Sequence, residues 1–369
     1  MIRFLSVWIV LVLASVVSVV AQPNQTRNVV LITIDGLRWQ EVFRGADAAL
    51  FDKEFGGVPS NQQIALREDF WAETADERRK KLMPFFWGEI ATRGQLFGNR
   101  DVGSVVSVRN DRWISYPGYN EILTGRVDPR VSSNVPLPNP NVTVLEWLNG
   151  LPEFSGKVAA CAEWRVFTAI LNVGRSRLPV WVTRQHSPAS TATPRLLEIE
   201  KWMENIPPIA PDEHFDAFVH EATLDTFNHR QPRVFLYALG EPDAWAHGRR
   251  YDRYLYSIQR CDRFIRELWE KLQALDQYRG STTFLITTDH GRGVTPDDWA
   301  HHGQKIPFSQ ETWLAALGPD TPALGERGNF PEIYQAQVAS TLVAFLGLDF
   351  RTFSAEAEEP ITQVLRGGK

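Results

Sequence analysis

Three largely hydrophobic runs, the first of them rich in β-branched residues, constrain the fold of this chain more than any other feature. Runs of this kind are typical of strands buried on both faces of a parallel sheet. They are NVVLITI (28–34), RVFLYAL (233–239) and TTFLITT (282–288). A long segment with helical spacing of apolar residues covers about 250–275. Strands that alternate with helices predict an α/β fold with a mostly parallel central sheet and helices on both faces.

The same patterns place further elements along the chain. Strands are also predicted over 102–108, 157–163 and 312–318. Helices are also predicted over 67–82, 84–94, 143–150, 194–205, 212–229 and 331–348. The segment 172–232 is looser and interrupted by prolines, and we interpret it as a cap inserted into one catalytic domain that spans 22–369.

A carboxylate follows each of the three buried runs. Asp35 and Asp289 directly follow the first and third runs, and Asp243 lies four residues after the second. Ligands of open α/β sheets bind at the carboxyl ends of the strands, so we expect the three carboxylates to meet at one edge. A single Asp after a strand is usually a helix cap, and it is the set of three that indicates a site.

Histidines accompany two of these carboxylates. His247 lies four residues after Asp243, which places both side chains on one face of a helix. His290 directly follows the third run's carboxylate, and His301 and His302 stand side by side in DDWAHHG. Carboxylate and imidazole ligands suit zinc first, with manganese or iron as alternatives. Clustered acids repel one another at neutral pH unless a cation neutralises them, which favours a metal site.

One serine stands in front of a Pro-Gly pair and a helical run in RWISYPGYNEILTG (112–125). Two interpretations of Ser115 are compatible with each other: a helix N-cap and a nucleophile. As an N-cap, Ser115 would hold its oxygen beside the helix N–H groups that bind anions.

Five pieces of the chain, in this order, resemble the alkaline phosphatase superfamily, and specifically its phosphodiesterase-like and nucleotide-pyrophosphatase-like branch. They are TIDGLRW (33–39), SYPGYNEILTG (115–125), EPDAWAH (241–247), TDHGRG (288–293) and HHG (301–303). No single piece is specific. The five pieces together are specific, because they occur in the family's order and span most of the chain.

The resemblance implies two divalent metal ions, Zn²⁺ in the first place and Mn²⁺ as an alternative. The ligands it implies for one ion are Asp35, Ser115, Asp289 and His290, and those for the other ion are Asp243, His247 and His302. His302 is preferred over His301 because it directly precedes Gly303.

The resemblance also implies a reaction, the hydrolysis of phosphate mono- or diesters through a covalent phosphoserine at Ser115. In many relatives an Asn in the loop after the nucleophile contacts a non-bridging oxygen. Asn134 is the candidate here, with a turn-forming Asn as the alternative. Monoesterases often add a cation that clamps the terminal phosphate. Arg165 is the candidate for that clamp, and a surface arginine is the alternative.

The Gly118-Tyr119 pair departs from the branch, whose members often carry Asn-His after the proline. The substrate preference of those members therefore does not carry over. A sulfatase would want arginine in place of Tyr119 and favours lysine in place of His302. A sulfatase or phosphonate hydrolase, a phosphotransferase of the mutase type and a non-catalytic binding domain are the alternatives. The last is disfavoured because each expected ligand position carries a competent residue.

The N-terminal segment and the overall charge predict the location of the protein and the partners it can have. Met1-Ile2-Arg3 and an apolar run to Ala21 predict a secretory signal peptide (1–21), with an uncleaved anchor as the alternative. We therefore expect a periplasmic or extracellular enzyme with a small-molecule phosphoester substrate. A net charge of −5 without a basic stripe argues against a nucleic-acid partner. Export permits a disulfide between Cys161 and Cys261, and two buried thiols are the alternative.

Overall fold

The computed structural model describes residues 24–185 and 192–366, so the predicted signal segment 1–21 lies outside the described residues. The strands are β1 (Asn28–Ile34), β2 (Gln95–Phe97), β3 (Val106–Ser107), β4 (Val158–Ala162), β5 (Val180–Val182), β6 (Val234–Leu239), β7 (Thr282–Thr287), β8 (Glu311–Thr312), β9 (Leu314–Leu317), β10 (Gly325–Glu326) and β11 (Ile333–Tyr334). The α-helices are α1 (Trp39–Arg44), α2 (Gln63–Phe70), α3 (Ala75–Leu82), α4 (Ala91–Arg93), α5 (Ser115–Thr124), α6 (Val144–Gly150), α7 (Phe167–Ile170), α8 (Val173–Ser176), α9 (Pro194–Asn205), α10 (Asp216–His229), α11 (Glu241–His247), α12 (Tyr251–Ala274) and α13 (Val338–Phe345). A π-helical turn, Phe86–Ile90, leads into α4.

Eight strands form the central sheet, in the order β10-β2-β9-β7-β1-β6-β4-β5. Strand β1 lies between β7 and β6 and runs parallel to both. Only β9 opposes its neighbours β2 and β7 within the described sheet. Every residue of β1, β6 and β7 is buried, as expected for strands covered on both faces. The predicted α/β fold with a mostly parallel sheet is confirmed, and the carboxyl ends of β7, β1 and β6 are adjacent.

The core lies on both faces of this sheet because alternate residues of a strand point in opposite directions. Val30 of β1 packs in one cluster with residues of α12, such as Leu255. Leu31 packs in the opposite cluster with Ile122 of α5 and Leu342 of α13. Helix α5 therefore lies against the sheet on one face, where its first residue reaches the carboxyl edge of β1.

Four predicted elements differ in number or type from those observed, and the helix predicted over 212–229 begins later, at Asp216. The predicted helix 67–82 is two helices, because Thr74 and Glu77 form a capping box that starts α3. The predicted strand 102–108 shortens to β3, because a 3₁₀ turn occupies Arg100–Val102. The predicted strand 312–318 is divided at Trp313 between β8 and β9, which belong to different sheets. The predicted helix 331–348 begins only at α13, because β11 pairs with β3.

The predicted cap, 172–232, is partly built into the sheet. Strand β5 pairs with β4 in parallel, and α10 leads from this edge back to β6. The segment therefore includes a crossover of the central sheet as well as α9. Cys161 in β4 and Cys261 in α12 are both buried and free, so the alternative of two buried thiols is the one observed. Among the described helices, none is both long and apolar enough to span a membrane.

Candidate metal centre

The carboxyl edge of β7, β1 and β6 gathers the residues predicted from the sequence. Asp35 directly follows β1, and Asp289 and His290 come just after β7. Asp243 lies in α11, whose first residue comes two positions after the end of β6. Because the three strands are parallel and adjacent, these side chains meet although they are far apart in the sequence.

The first ligand group consists of Asp35, Asp289, His290 and Ser115. His290 Nε2 lies 3.4 Å from Asp35 Oδ1 and 3.5 Å from Asp289 Oδ2. Both carboxylate oxygens are buried and have no hydrogen-bond partner among the described residues. Buried acceptors without a partner are costly, and a cation between them would remove that cost. The donor set therefore fits a divalent metal ion.

The charges in the first ligand group support this fit. Burial, together with the charges of Asp289 and Asp243, raises the pKa of Asp35 well above its ordinary value. Burial also raises the pKa of Asp289. Two buried carboxylates therefore resist ionising side by side, and a cation is the group that would stabilise them as anions.

The second ligand group consists of Asp243, His247 and His302. His247 Nε2 lies 3.2 Å from Asp243 Oδ2 and 3.0 Å from His302 Nε2. His302 Nε2 lies 3.8 Å from Asp243 Oδ1. Burial and the neighbouring His290 lower the pKa of His302 well below its ordinary value, which favours the neutral imidazole that binds metals.

The two ligand groups are adjacent. The rings of His290 and His302 stack with their centroids 3.8 Å apart. Ligand atoms of Asp243, His290 and His302 also lie within 4.8 Å of one another. His301 lies elsewhere: it is exposed, and its Nε2 is 3.2 Å from Arg249 Nη2. The structure thus brings His302, and not His301, to the site.

The nucleophile candidate occupies a different helix position from the one predicted. Helix α5 begins at Ser115, and Ile114 is its N-cap, so the expectation that Ser115 caps the helix is wrong. The capping oxygen comes from a neighbouring loop, where Asn134 Oδ1 accepts a hydrogen bond from the Tyr116 N–H at 3.0 Å. Ser115 Oγ instead lies 3.4 Å from His290 Nε2. The loop cap leaves the serine hydroxyl available to the first ligand group.

The Gly118-Tyr119 pair fits helix α5 to this site. A Cβ atom on Gly118 would lie 2.4 Å from the Asp289 carbonyl oxygen, so only glycine allows the helix to approach this closely. The Tyr119 hydroxyl donates to Asp35 Oδ2 at 3.3 Å. Burial raises the pKa of Tyr119 well above its ordinary value, which keeps that hydroxyl a donor. The pair that departs from the expected pattern therefore supports a ligand.

Comparisons with known proteins agree with this geometry. Residues 210–343 match the family model of the Metalloenzyme superfamily. The structure is similar to that of alkaline phosphatase PafA, with a TM-score of 0.59 at 10% identity over 93% of this chain and 99% of that chain. This is the fold of the alkaline phosphatase superfamily. The fold that the five motifs predicted is thereby confirmed. The narrower resemblance, to the nucleotide-pyrophosphatase-like branch, stays a prediction.

Other structures with this superfamily fold differ in their reactions. One is a phosphonate monoester hydrolase from Silicibacter pomeroyi, with a TM-score of 0.54 at 12% identity over 93% of this chain and 77% of that chain. Another is a 2-O GAG sulfatase, with a TM-score of 0.56 at 12% identity over 93% and 75%. No curated protein sequence matches the chain. The family match supports a metal-dependent enzyme, whereas the fold alone does not choose its substrate.

Backbone groups orient the histidines of both ligand groups. His290 Nδ1 lies 2.9 Å from the Gly291 carbonyl oxygen, and His302 Nδ1 lies 3.0 Å from the Trp113 carbonyl oxygen. Each Nδ1 therefore carries the proton, which leaves each Nε2 free to bind an ion. The Gly36 N–H donates to Asp289 Oδ1 at 3.2 Å and orients that carboxylate in the same way.

Two charged residues near the second ligand group were missed in the sequence. Arg292 is buried and pairs with the Asp243 carboxylate. Glu213 lies in the predicted cap, close enough that burial and the charge of Asp243 raise its pKa. The arginine stands in TDHGRG, but its spacing carries no signal that separates it from a surface residue. Arg165 is more than half exposed and pairs with Asp212 at 2.9 Å, so its role as a phosphate clamp stays a prediction.

Proposed function

We propose that the chain is an exported two-metal phosphoesterase that hydrolyses phosphate mono- or diesters through a covalent intermediate on Ser115. The observation that carries the proposal is the position of Ser115 Oγ, 3.4 Å from His290 Nε2 at the start of a helix. Two buried carboxylate oxygens near it, Asp35 Oδ1 and Asp289 Oδ2, have no hydrogen-bond partner in the part of the chain that the structure describes. A hydroxyl held beside a two-cation site suits in-line displacement at phosphorus.

The reaction would proceed in two displacements at phosphorus. In the first, Ser115 Oγ bonds to phosphorus, loses its proton to solvent, and the bond to the leaving-group oxygen breaks. In the second, water attacks phosphorus, the bond to Ser115 breaks, and phosphate or a phosphomonoester is released. Two zinc ions would supply the positive charge that lowers the pKa of the hydroxyl and stabilises the phosphoryl oxygens.

Asn134 has a defined part in this proposal. Its Oδ1 accepts from the Tyr116 N–H, so its amide nitrogen is the group left to donate to a phosphoryl oxygen beside Ser115. Asn134 is exposed, which leaves that nitrogen accessible. One side chain would thus cap the helix and bind the substrate.

The shared fold leaves a sulfatase as the main competing function. Tyr119 occupies the position where the sulfatase pattern has an arginine, and its hydroxyl donates to Asp35. The phosphoesterase is therefore favoured, and three substrates test the choice. With zinc present, we expect hydrolysis of p-nitrophenyl phosphate or bis-p-nitrophenyl phosphate, and not of p-nitrophenyl sulfate. Hydrolysis of the sulfate ester alone would refute the proposal.

The nucleophile is tested by the Ser115→Ala variant. We expect turnover to fall by at least about 10³-fold, because no covalent intermediate can form. Zinc content, measured by elemental analysis, should stay near that of the wild type. Ser133→Ala is the matched control, since Ser133 is exposed in the same loop as Asn134. Undiminished turnover in Ser115→Ala would remove Ser115 from the mechanism.

Export is the part of the proposal that rests on sequence alone. The apolar segment that ends at Ala21 carries it. N-terminal sequencing of the mature protein from a bacterial host should find a new terminus near Gln22 in the exported fraction. Retention of Met1 on a membrane-bound protein would favour the uncleaved anchor instead.

A further inference from the structure

Arg292 lies against the second ligand group in a fixed position. It is only 1% exposed. Its guanidinium donates to the Ala300 carbonyl at 2.8 Å and to the Gly36 carbonyl at 3.1 Å. It also donates to the Asp243 carbonyl at 3.3 Å and pairs with Asp243 Oδ1. Because these acceptors come from three separate segments, the guanidinium cannot turn away from Asp243 without losing several hydrogen bonds.

Arg292 makes the charges of the two ligand groups different. The first group has two carboxylates, Asp35 and Asp289. Among the described residues, His290 is the only basic side chain that pairs with either of them. The second group has one carboxylate, and a guanidinium stays charged at any pH that a folded protein tolerates. Arg292 therefore offsets the charge of Asp243, with Glu213 as the other acid nearby, whereas neither carboxylate of the first group pairs with an arginine or lysine among the described residues.

The pairing also occupies one carboxylate oxygen of the second group. Asp243 Oδ1 is engaged by Arg292, and Oδ2 is the oxygen that faces His247 at 3.2 Å. An ion in the second group would thus face Asp243 Oδ2, the imidazoles of His247 and His302 and a nearby positive charge. An ion in the first group would meet two carboxylates, each with one oxygen, Asp35 Oδ1 or Asp289 Oδ2, that has no hydrogen-bond partner among the described residues. Coulomb attraction to a cation weakens as the net negative charge of its ligands decreases. A divalent ion would therefore bind less tightly in the second group than in the first.

We propose that Arg292 makes the two metal sites of this chain unequal, with a tight site in the first ligand group and a weak, exchangeable site in the second. The inference rests on the proposed two-metal function and adds an order of loading to it. The first ion would bind at Asp35, Asp289 and His290, and the second ion would follow only at higher free zinc.

Zinc binding without substrate tests the inference on the wild-type protein. Metal-free protein is titrated with Zn²⁺ against a chromophoric chelator, and we expect two affinity classes at least about tenfold apart. His247→Ala should remove the weak class, and Asp289→Asn should remove the tight class. Two zinc ions that bind in a single affinity class, or loss of the tight class in His247→Ala, would overturn the inference. Either result would leave the two-metal function standing. A protein that binds no zinc would overturn both.

Substitution of Arg292 tests its part directly. Arg292→Gln should tighten the weak class by about tenfold or more, because Asp243 regains its full charge and both oxygens. Arg292→Lys keeps the charge and should keep the classes apart. Arg38→Gln is the matched control, since Arg38 is equally buried but pairs with Glu41, and it should change neither class.

Circular dichroism of the metal-free variants checks that each one is folded. If the zinc affinity of the weak class is unchanged or lower in folded Arg292→Gln, the inference is overturned. That result would mean that Arg292 only positions Asp243. If Arg292→Gln does not fold, the wild type and His247→Ala still decide the question.

Discussion

Two neighbouring histidines have opposite surroundings, and they allow a matched test of one ligand. The His302 side chain is 8% exposed and stacks on His290, whereas His301 is exposed beside Arg249. We expect His302→Ala to remove the weak zinc class and to abolish most phosphatase activity, since it removes a ligand of the second group. His301→Ala should retain both properties. Chelator titration and turnover of p-nitrophenyl phosphate measure them, and the reverse result would make His301 the ligand.

At the scale of single residues, spacing predicts the ligands but not the groups that orient them. Asp243 and His247 were expected together because four residues separate them on a helix, and the structure brings them within 3.2 Å. The Tyr119 hydroxyl and Arg292 come from other segments, and no local pattern marks a tertiary contact. Ser115 failed as an N-cap for the same reason, because Asn134 caps the helix from 18 residues away.

The close approach of α5 to the sheet edge gives a prediction for this element. Gly118→Ala would place a Cβ atom 2.4 Å from the Asp289 carbonyl oxygen, so the helix must shift and carry Ser115 with it. We expect a loss of about 1–3 kcal/mol in the free energy of unfolding and a large loss of turnover.

Gly150→Ala is the control for that prediction. Gly150 is the last residue of α6, and a Cβ atom there meets nothing within 4 Å. This variant should be as stable as the wild type or gain up to about 1 kcal/mol, since alanine favours helices. Urea unfolding and steady-state kinetics of both variants decide the matter. Equal behaviour of the two variants would mean that α5 is not held against the Asp289 loop.

At the scale of elements, the sequence predicts the fully buried strands of the central sheet most accurately. The fully buried run 28–34 is β1 to the residue, and 157–163 differs from β4 by one residue at each end. Strands of two residues, such as β3 and β11, are too short to show a period. The strand predicted over 312–318 failed because its apolar residues belong to two sheets, which only the tertiary fold separates.

At the scale of the whole molecule, the site exists only when the fold does. The residues of the two ligand groups follow β1, β6 and β7 or begin α5, and the four segments that carry them are separated by tens of residues in the sequence. Metal binding and folding are therefore linked, because an ion that binds the folded site and not the unfolded chain stabilises the whole protein.

The pKa values of the first ligand group give this linkage a pH dependence. Burial, and for Asp35 also the nearby carboxylates, raises the pKa of Asp35 and of Asp289 above their ordinary value. The metal-free folded protein therefore keeps protons that the unfolded chain releases above about pH 4. Its stability falls as the pH rises through that range toward the raised pKa values.

A zinc ion replaces those protons, so the stability that zinc adds should grow with pH. We expect the increase in Tm between EDTA and excess zinc to be small near pH 5 and largest near pH 8. Differential scanning fluorimetry across this range measures it, with the same buffers in both arms. Asp35→Asn removes one of the two carboxylates and should reduce both the increase and its pH dependence. A zinc effect that does not change with pH would show that Asp35 and Asp289 do not bind the ion that stabilises the protein.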